Sequence, residues 1–472
     1  MDAPLALVAG VDSSTQSTKV VVCDASTGAV VRKGRAAHPD GTEVDPQEWW
    51  QAWLQASDGG LLDGVGALAV GGQQHGMVAL DDEGVPVRKA LLWNDVRSAS
   101  AARDLVEELG GPQKWVEAVG SVPGAAFTVT KLRWLAEHEP QLADRVRDVV
   151  LPHDWLTRRV LLDAGGTGPA ETEWVTDRGD ASGTGYWSAA AEQYRPDLVE
   201  LALGRVVGLP RVLRPDEPAG RTADGVVLGA GTGDNMGAAL GLGLEPGDAV
   251  VSLGTSGTVF ARHEGAVADP TGEVAGFADA TGGYLPLMCT LNAARVITSM
   301  ARLLGVDLAG LDRLALAARP GAGGLTLLPY LDGERTPDLP DATGTLAGLT
   351  RSNATPENLA RAGVEGMLCN LAAGVDALRA RGVPVVRALL IGGASGSRAV
   401  RAVAPSLLGV PVRVPAVGEY VALGAARQAV WAATGVAPDW AVAATEVEPA
   451  GDGSGEEVLQ RYRQVLGRLH GR

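Results

Sequence analysis

LALVAGVDSSTQSTKVVVCD, running from Leu5 to Asp24, places an apolar run, a turn rich in hydroxyl side chains and a second run rich in valine one after another. The pattern predicts two antiparallel strands joined by a tight turn, with Asp12 closing the first strand and Lys19 opening the second. A turn of this kind exposes backbone N–H groups that can face an anion. The bland role for Asp12 is an Asx-turn at the hairpin. The plan returns in EPGDAVVSLGTSGTVFARHEG, from Glu245 to Gly265: apolar strand, Gly/Ser/Thr turn, β-branched strand. The two copies share few letters but one order of parts.

Two such openings predict a duplicated α/β protein, residues 1–244 and 245–472, with its site in the cleft between the halves. Length agrees, because 472 residues exceed the ~250–300 at which a single core stops growing. Around the first hairpin, "ASTG" turns the chain into "AVVRKGRAAHP", making a three-stranded meander, and "DPQEWWQAWLQA" reads as a helix capped by Asp45 with Pro46 first inside it. "GALAVGGQQHGMVALDDEG" reads as a further strand pair broken by glycine and polar residues. The stretch from Pro152 to Gly208 reads as an inserted lobe or long connection. In the second half "TPENLARAGVEGMLCNLAAGVDALRARG" predicts a helix capped by Thr355, begun by Pro356 and stopped by Gly382. "VVRALLIGGASGSRAVRAVAPSLLG" then predicts strand, Gly-Gly turn and helix, an arrangement that suits a phosphate or nucleotide.

A formal charge of -16, with no compensating Lys/Arg cluster, argues against nucleic acid and anionic membrane as partners. The same charge opposes a polyphosphate unless local N–H groups, a lysine and a divalent cation receive it. No run of apolar residues is long enough to span a bilayer, and the N-terminus is acidic and short, so a cytoplasmic protein is expected. Cys23, Cys289 and Cys369 lie far apart in apolar surroundings, which predicts buried thiols. There is no GxxxxGK[ST], no protein-kinase motif set, no GxGxxG and no GxSxG, so the common nucleotide and serine-hydrolase signatures are absent.

Within VLGAGTGDNMGAALGLG, Val227 to Gly243, Asp234 and Asn235 are the polar pair in a run of small and apolar residues. Helix capping is one reading of them; chemistry is the other. The motifs DSSTQSTK (Asp12–Lys19), GGQQHG (Gly71–Gly76), LLWND (Leu91–Asp95), GTGDN (Gly231–Asn235), SLGTSGT (Ser252–Thr258), LPYLDGERTP (Leu328–Pro337) and IGGASGS (Ile391–Ser397), taken in this order, resemble the FGGY carbohydrate kinases, most closely their xylulokinase branch. The resemblance runs from about residue 7 to 432. It implies an actin-like, ribonuclease-H-like ATPase fold in two domains, ATP and Mg2+ as cosubstrates, a sugar as the small-molecule partner, and a homodimer.

On that resemblance Asp234 is the catalytic base facing the acceptor hydroxyl. The pKa gap between an alcohol near 16 and an aspartate near 4 is about 12 units, or about 16 kcal/mol. Asp234 therefore orients the hydroxyl and takes its proton late, as the phosphoryl group arrives. The resemblance implies that Asp12 holds Mg2+ through water, that Ser14, Thr15, Gln16 and Ser17 donate near the transferring phosphate, and that Lys19 adds positive charge there. Gln74 and His75, at a glycine-flanked strand break, would bind the sugar, together with Trp93, Asn94 and Asp95 on the next strand, and with Asn235. His75 stands where xylulokinase-like members have His and glycerol kinases an Arg-Glu pair. Gly254 and Thr255 would form the second phosphate turn, and Gly392, Gly393 and Ser397 the adenosine contact. The acceptor expected is an open-chain ketopentose, D-xylulose, phosphorylated at O5. The alternatives are ribulose, gluconate or glycerol, or a non-catalytic nucleotide switch of the actin or heat-shock-chaperone type. No role follows for Arg335 in "GERTP".

Overall fold

The computed structural model describes residues 5–449 and 453–471. The chain forms two compact units that are discontinuous in sequence. The first comprises Met1–Gly243, Glu264–Leu285 and Gly418–Val442, and the second Leu244–His263, Pro286–Val417 and Ala443–Arg472.

In the first unit β1 (Leu7–Ser13), β2 (Ser17–Asp24) and β3 (Val30–Ala37) form the meander that the sequence predicts. β1 pairs antiparallel with β2, Asp12 opposite Lys19. α1 (Pro46–Ala56) starts as expected, with the Asp45 side chain accepting from the Gln47 N–H. β4 (Val65–Gly72) lies parallel to β1 on its other side. Chain order continues through α2 (Thr128–His138), α3 (Pro152–Asp163), the short α4 (Arg178–Ser182), β5 (Pro218–Arg221), β6 (Val227–Gly229), β7 (Thr232–Gly233) and α5 (Asp234–Leu242). Strand order in the sheet is β5-β6-β4-β1-β2-β3, with β7 pairing the end of β4. Val8, Ala9 and Val11 on β1 are fully buried, as a strand covered on both faces must be. Trp49, Trp50 and Trp53 of α1 pack in the core on one side of the sheet. On the other, Ala422, Ala425, Ala426 and Ala429 of the helix Tyr420–Thr434 pack against Val8, Val21 and Ala67.

Three sequence readings change here. Val78–Leu80 does not pair with β4 but runs antiparallel to Asp148–Val150. The break between them holds His75 at φ 66°, a left-handed turn that carries the backbone out of the first sheet. Trp93, Asn94 and Asp95 lie in a turn after the two-residue strand Ala90–Leu91, not on a strand. Pro152–Gly208 is no separate lobe: Trp155, Leu156, Val160 and Leu161 of α3 belong to the same core as β1 and β4.

The second unit repeats the plan. β8 (Asp248–Leu253) pairs antiparallel with β9 (Gly257–Ala261), and β9 antiparallel with β10 (Tyr284–Thr290). α6 (Pro356–Ala380) is capped by Thr355, whose side chain accepts from the Asn358 N–H. β11 (Arg387–Ile391) runs parallel to β8; α7 (Arg398–Leu408) follows, and β12 (Val412–Pro415) runs parallel to β11. The order β10-β9-β8-β11-β12 thus matches β3-β2-β1-β4-β6 strand for strand and direction for direction. The echo between Leu5–Asp24 and Glu245–Gly265 is a structural repeat. Among the described residues, no helix is long and apolar enough to cross a membrane.

Candidate active site

Asp12 is the last residue but one of β1 and is 2% exposed. Its Oδ1 accepts from the Ser14 hydroxyl and its Oδ2 from Lys19 Nζ at 3.1 Å. Burial pushes the Asp12 carboxyl above its ordinary range, with Lys19 working in the opposite direction. Lys19 is more than a solvated strand residue, because it also bonds Glu419 Oε2 at 2.8 Å. Burial disfavours its ammonium, yet the two carboxylates outweigh that and hold it charged. Glu419, just before the helix Tyr420–Thr434, was not singled out from sequence because its partner stands some 400 residues earlier. In the turn, Ser14 and Thr15 are half-buried, Gln16 is exposed and Ser17 is buried at the start of β2. Thr15 Oγ1 accepts from Trp93 Nε1 at 2.8 Å, which ties the turn to the "LLWND" segment.

Asp234 is the first residue of α5. Gly233 occupies the capping position, so the capping reading of Asp234 is not what the helix uses. The carboxylate turns back onto its neighbour instead: Oδ1 accepts from the Asn235 N–H at 2.8 Å and from Asn235 Nδ2 at 2.9 Å. Asn235 Nδ2 also reaches Gln74 Oε1 at 3.0 Å, joining the two motifs. The Asp234 pKa is pushed up to about 7, by burial first and then by the negative charge of Asp12, while the bonds from Asn235 oppose the shift. The two carboxylates therefore sense each other across one site.

His75 is clamped at three points. Nδ1 donates to the Gly183 carbonyl at 2.6 Å, an assignment that follows because a carbonyl can only accept. Its own carbonyl accepts from Lys131 Nζ at 2.8 Å and from Thr128 Oγ1 at 3.2 Å. The ring packs against Phe127 and Phe277, centroids 4.9 and 5.5 Å away, and those two rings also meet each other at 5.9 Å. Lys131, Phe127, Phe277 and Gly183 were all missed from sequence. The readable signal was Lys131, a cation set within the TVTKL run that opens α2. Asp95 is 3% exposed and both of its oxygens meet Arg97 Nε, at 2.9 and 3.0 Å, so it meets any ligand only alongside that pair. Asn94 Nδ2 donates to the Gly41 carbonyl at 3.3 Å.

In the second unit Gly254 and Thr255 form the turn between β8 and β9. The Gly254 carbonyl accepts from the Ala294 N–H at 2.9 Å. Gly392 sits at φ 86°, and a methyl group on it would lie 2.6 Å from the Leu253 carbonyl carbon, so only glycine lets the ends of β8 and β11 approach. Gly393 opens the single turn that follows. Ser397 caps α7, accepting from the Val400 N–H at 3.1 Å while donating to Asp312. The "GERTP" segment now has a role. Buried Glu334 accepts from Thr290 Oγ1, the Leu291 N–H, Asn292 Nδ2, Asn370 Nδ2 and the Arg335 N–H at 2.6 to 3.0 Å, anchoring the loop to β10 and α6. Arg335 itself is exposed. Cys23 and Cys369 are buried free thiols, and Cys289 is partly exposed.

Residues 7–242 match the model of the FGGY family of carbohydrate kinases, N-terminal domain, and residues 249–433 that of its C-terminal domain. The xylulose kinase of Streptomyces coelicolor is 48% identical, with 98% of this chain and 96% of that protein aligned. The crystal structure of xylulose kinase from Bifidobacterium adolescentis superposes with a TM-score of 0.89 at 46% identity, covering 98% of this chain and 100% of that one. The Plasmodium falciparum glycerol kinase with ADP, at 18% identity and a TM-score of 0.84, shares the fold. Chemistry and ancestry thus point the same way, and the chain belongs to the FGGY family of carbohydrate kinases.

Proposed function

We propose that this kinase transfers the terminal phosphoryl group of ATP to O5 of D-xylulose in its acyclic form. The observation that carries the reading is the hydrogen-bonded series Gln74–Asn235–Asp234 beside the clamped His75. It sets an amide, a carboxylate and an imidazole together, as a polyhydroxylated acceptor requires. Relatives at nearly half identity over almost the whole length carry the name xylulose kinase, which supports the ketopentose. Trp93, Asn94 and Asp95 complete the sugar-binding set in this reading. A homodimer and a cytoplasmic location belong with it as family expectations.

Asp234 then orients the O5 hydroxyl and accepts its proton as the phosphoryl group arrives. Even with its pKa near 7, the gap to the alcohol is about 9 units, or about 12 kcal/mol, so removing the proton before attack is excluded. A loose transition state leaves little negative charge to be generated on O5 beforehand. Lys19, with Ser14, Thr15, Gln16 and Ser17, would meet the transferring phosphate. Gly254 and Thr255 would take the other phosphates, and Gly392, Gly393 and Ser397 the adenosine.

The negative charge of Asp12 adds to the burial that raises the Asp234 pKa, a repulsion that a divalent cation would relieve. Asp12 fits Mg2+ through water, because Ser14 and Lys19 already occupy its oxygens. When bound, the ion spreads the negative charge of the phosphates. Asp12→Asn should accordingly raise the Mg2+ concentration needed for half-maximal rate about tenfold, and a titration curve unchanged from the parent removes Asp12 from the metal site. ADP release measured across D-xylulose, D-ribulose, gluconate and glycerol tests the substrate. The ketopentose is expected to win by at least about 10²-fold in kcat/KM, since buried polar groups left unpaired reject the wrong polyol. A higher kcat/KM for gluconate or glycerol would replace this reading.

A further inference from the structure

The buried cation at the start of α3 has no part in the chemistry above. His153 is fully buried, and its Nε2 lies 3.3 Å from Asp154 Oδ1, 3.2 Å from Asp177 Oδ1 and 3.3 Å from Asp180 Oδ2. Two of those acids are themselves tied to the backbone. Asp154 Oδ2 accepts from the Leu151 N–H at 2.7 Å, and Asp177 accepts from the Gly179 and Asp180 N–H groups at 2.8 and 3.0 Å. Burial opposes a charge on the imidazole, but Asp154, Asp177 and Asp180 overcome it and hold the His153 pKa up to about 9.

The neighbours of this group are what matter. A methyl group on Gly231 would lie 2.4 Å from His153 Nδ1, and one on Gly72 would lie 3.0 Å from its Cβ. Gly72 ends β4 and is followed by Gln73, Gln74 and His75; Gly231 leads into β7 and Asp234, and β7 pairs with that end of β4. Asp177 and Asp180 cap and form α4, whose end supplies the Gly183 carbonyl that holds His75 Nδ1. Gly183 also abuts the Gln74 side chain. His153 therefore packs its backbone and Cβ against the strand end that carries Gln74, its Nδ1 edge against the turn that carries Asp234, and its Nε2 against the acids of the helical turn that fixes His75.

We propose that His153 is a positioning residue for this reaction: as a cation shared by Asp154, Asp177 and Asp180, it holds Gln74, His75 and Asp234 in one arrangement toward the sugar. The proposal rests on the kinase reading above. It differs from a core-filling role in what it demands, because a ring that only filled space would need no charge and would affect sugar and nucleotide alike.

The test is steady-state kinetics of the full-length protein, with D-xylulose and ATP varied separately, for His153→Gln and His153→Lys, with folding checked by circular dichroism. His153→Gln removes the charge and should lower kcat/KM for the sugar at least 50-fold while KM for ATP stays within about twofold. His153→Lys keeps a cation among the carboxylates and should recover to within about fivefold of the parent. Should His153→Gln fail to fold, Asp154→Asn serves, since it weakens the cage but keeps an acceptor for the Leu151 N–H. It should raise the sugar KM about fivefold and leave that for ATP unchanged. Sugar parameters within threefold of the parent in folded His153→Gln, no rescue by lysine, or equal loss toward sugar and ATP would each overturn the proposal. A parent enzyme that phosphorylates none of the polyols would instead overturn the kinase reading itself, whatever the variants do.

Discussion

Asp234→Asn should abolish turnover and yield a more stable protein. The amide keeps the shape of the carboxylate and can still accept from the Asn235 N–H through its Oδ1, so the start of α5 is preserved. What it loses is the proton acceptor, and kcat is expected to fall by about 10³-fold or more; a positioned general base typically contributes about 10² to 10⁴. Stability moves the other way. The Asp234 pKa in the folded protein is about 7 against an ordinary 3.8. The folded protein thus holds this proton more tightly than the unfolded one, and the stability that goes with it is complete below about pH 3.8 and lost as pH rises to 7. At pH 8 the ionised carboxylate costs at most about 4 kcal/mol, which the open side of the site reduces to about 1–2 kcal/mol. Asp234→Asn should therefore melt a few degrees higher at pH 8 and show little difference at pH 4. The parent should show the kinetic counterpart, with kcat/KM rising through a midpoint near pH 7 and about tenfold lower at pH 6 than on its plateau. A variant retaining more than a hundredth of the parental kcat, with folding intact, would mean that Asp234 is not the base.

Gly424→Ala should damage both fold and rate, although Gly424 is distant in sequence from every chemical motif. A methyl group there would lie 1.9 Å from the Gly237 carbonyl oxygen and 2.9 Å from the Gly241 nitrogen. On the facing helix a methyl group at Gly241 would lie 2.0 Å from the Tyr420 carbonyl oxygen. The two helices pack backbone against backbone, and any side chain forces them apart by about 1 Å. Overpacking of this kind typically costs about 1–3 kcal/mol and occasionally more; with backbone on both sides of the clash, about 3 kcal/mol is expected here. Because α5 begins at Asp234, the displacement reaches the base, and misplacing a reacting group by about 1 Å costs about 10²-fold in rate. A urea titration and kcat/KM for Gly424→Ala read the two effects. Gly124→Ala, where a methyl group meets nothing within 4 Å, is the control. A Gly424→Ala protein as stable as that control would contradict the close crossing.

The same crossing explains the opening of the base-bearing segment. "MGAALGLG" could be read as a capped helix or as a chemical motif, and both readings addressed only Asp234 and Asn235. The glycines themselves answer to the helix Tyr420–Thr434, almost two hundred residues later, and no local pattern announces a partner that distant.

What the sequence determined by itself was everything that depends on neighbours along the backbone. Strand periods gave the two hairpins and their repetition, cap residues such as Asp45 and Thr355 gave the helix starts, and ordered motifs gave the family, because these are properties of local backbone geometry and short spacings. The tertiary structure alone decided which side chains meet. Lys19 found Glu419, His75 found Gly183 and Lys131, Glu334 found Asn370, and His153 found three acids, two of them over twenty residues away. Folding also carried Gly418–Val442 back to the first unit, which a single cut near residue 244 does not express. The physical reason is common to all of these. A buried polar group must find a partner, but water is excluded only after the core forms, so the partner is chosen by proximity in space and not in sequence.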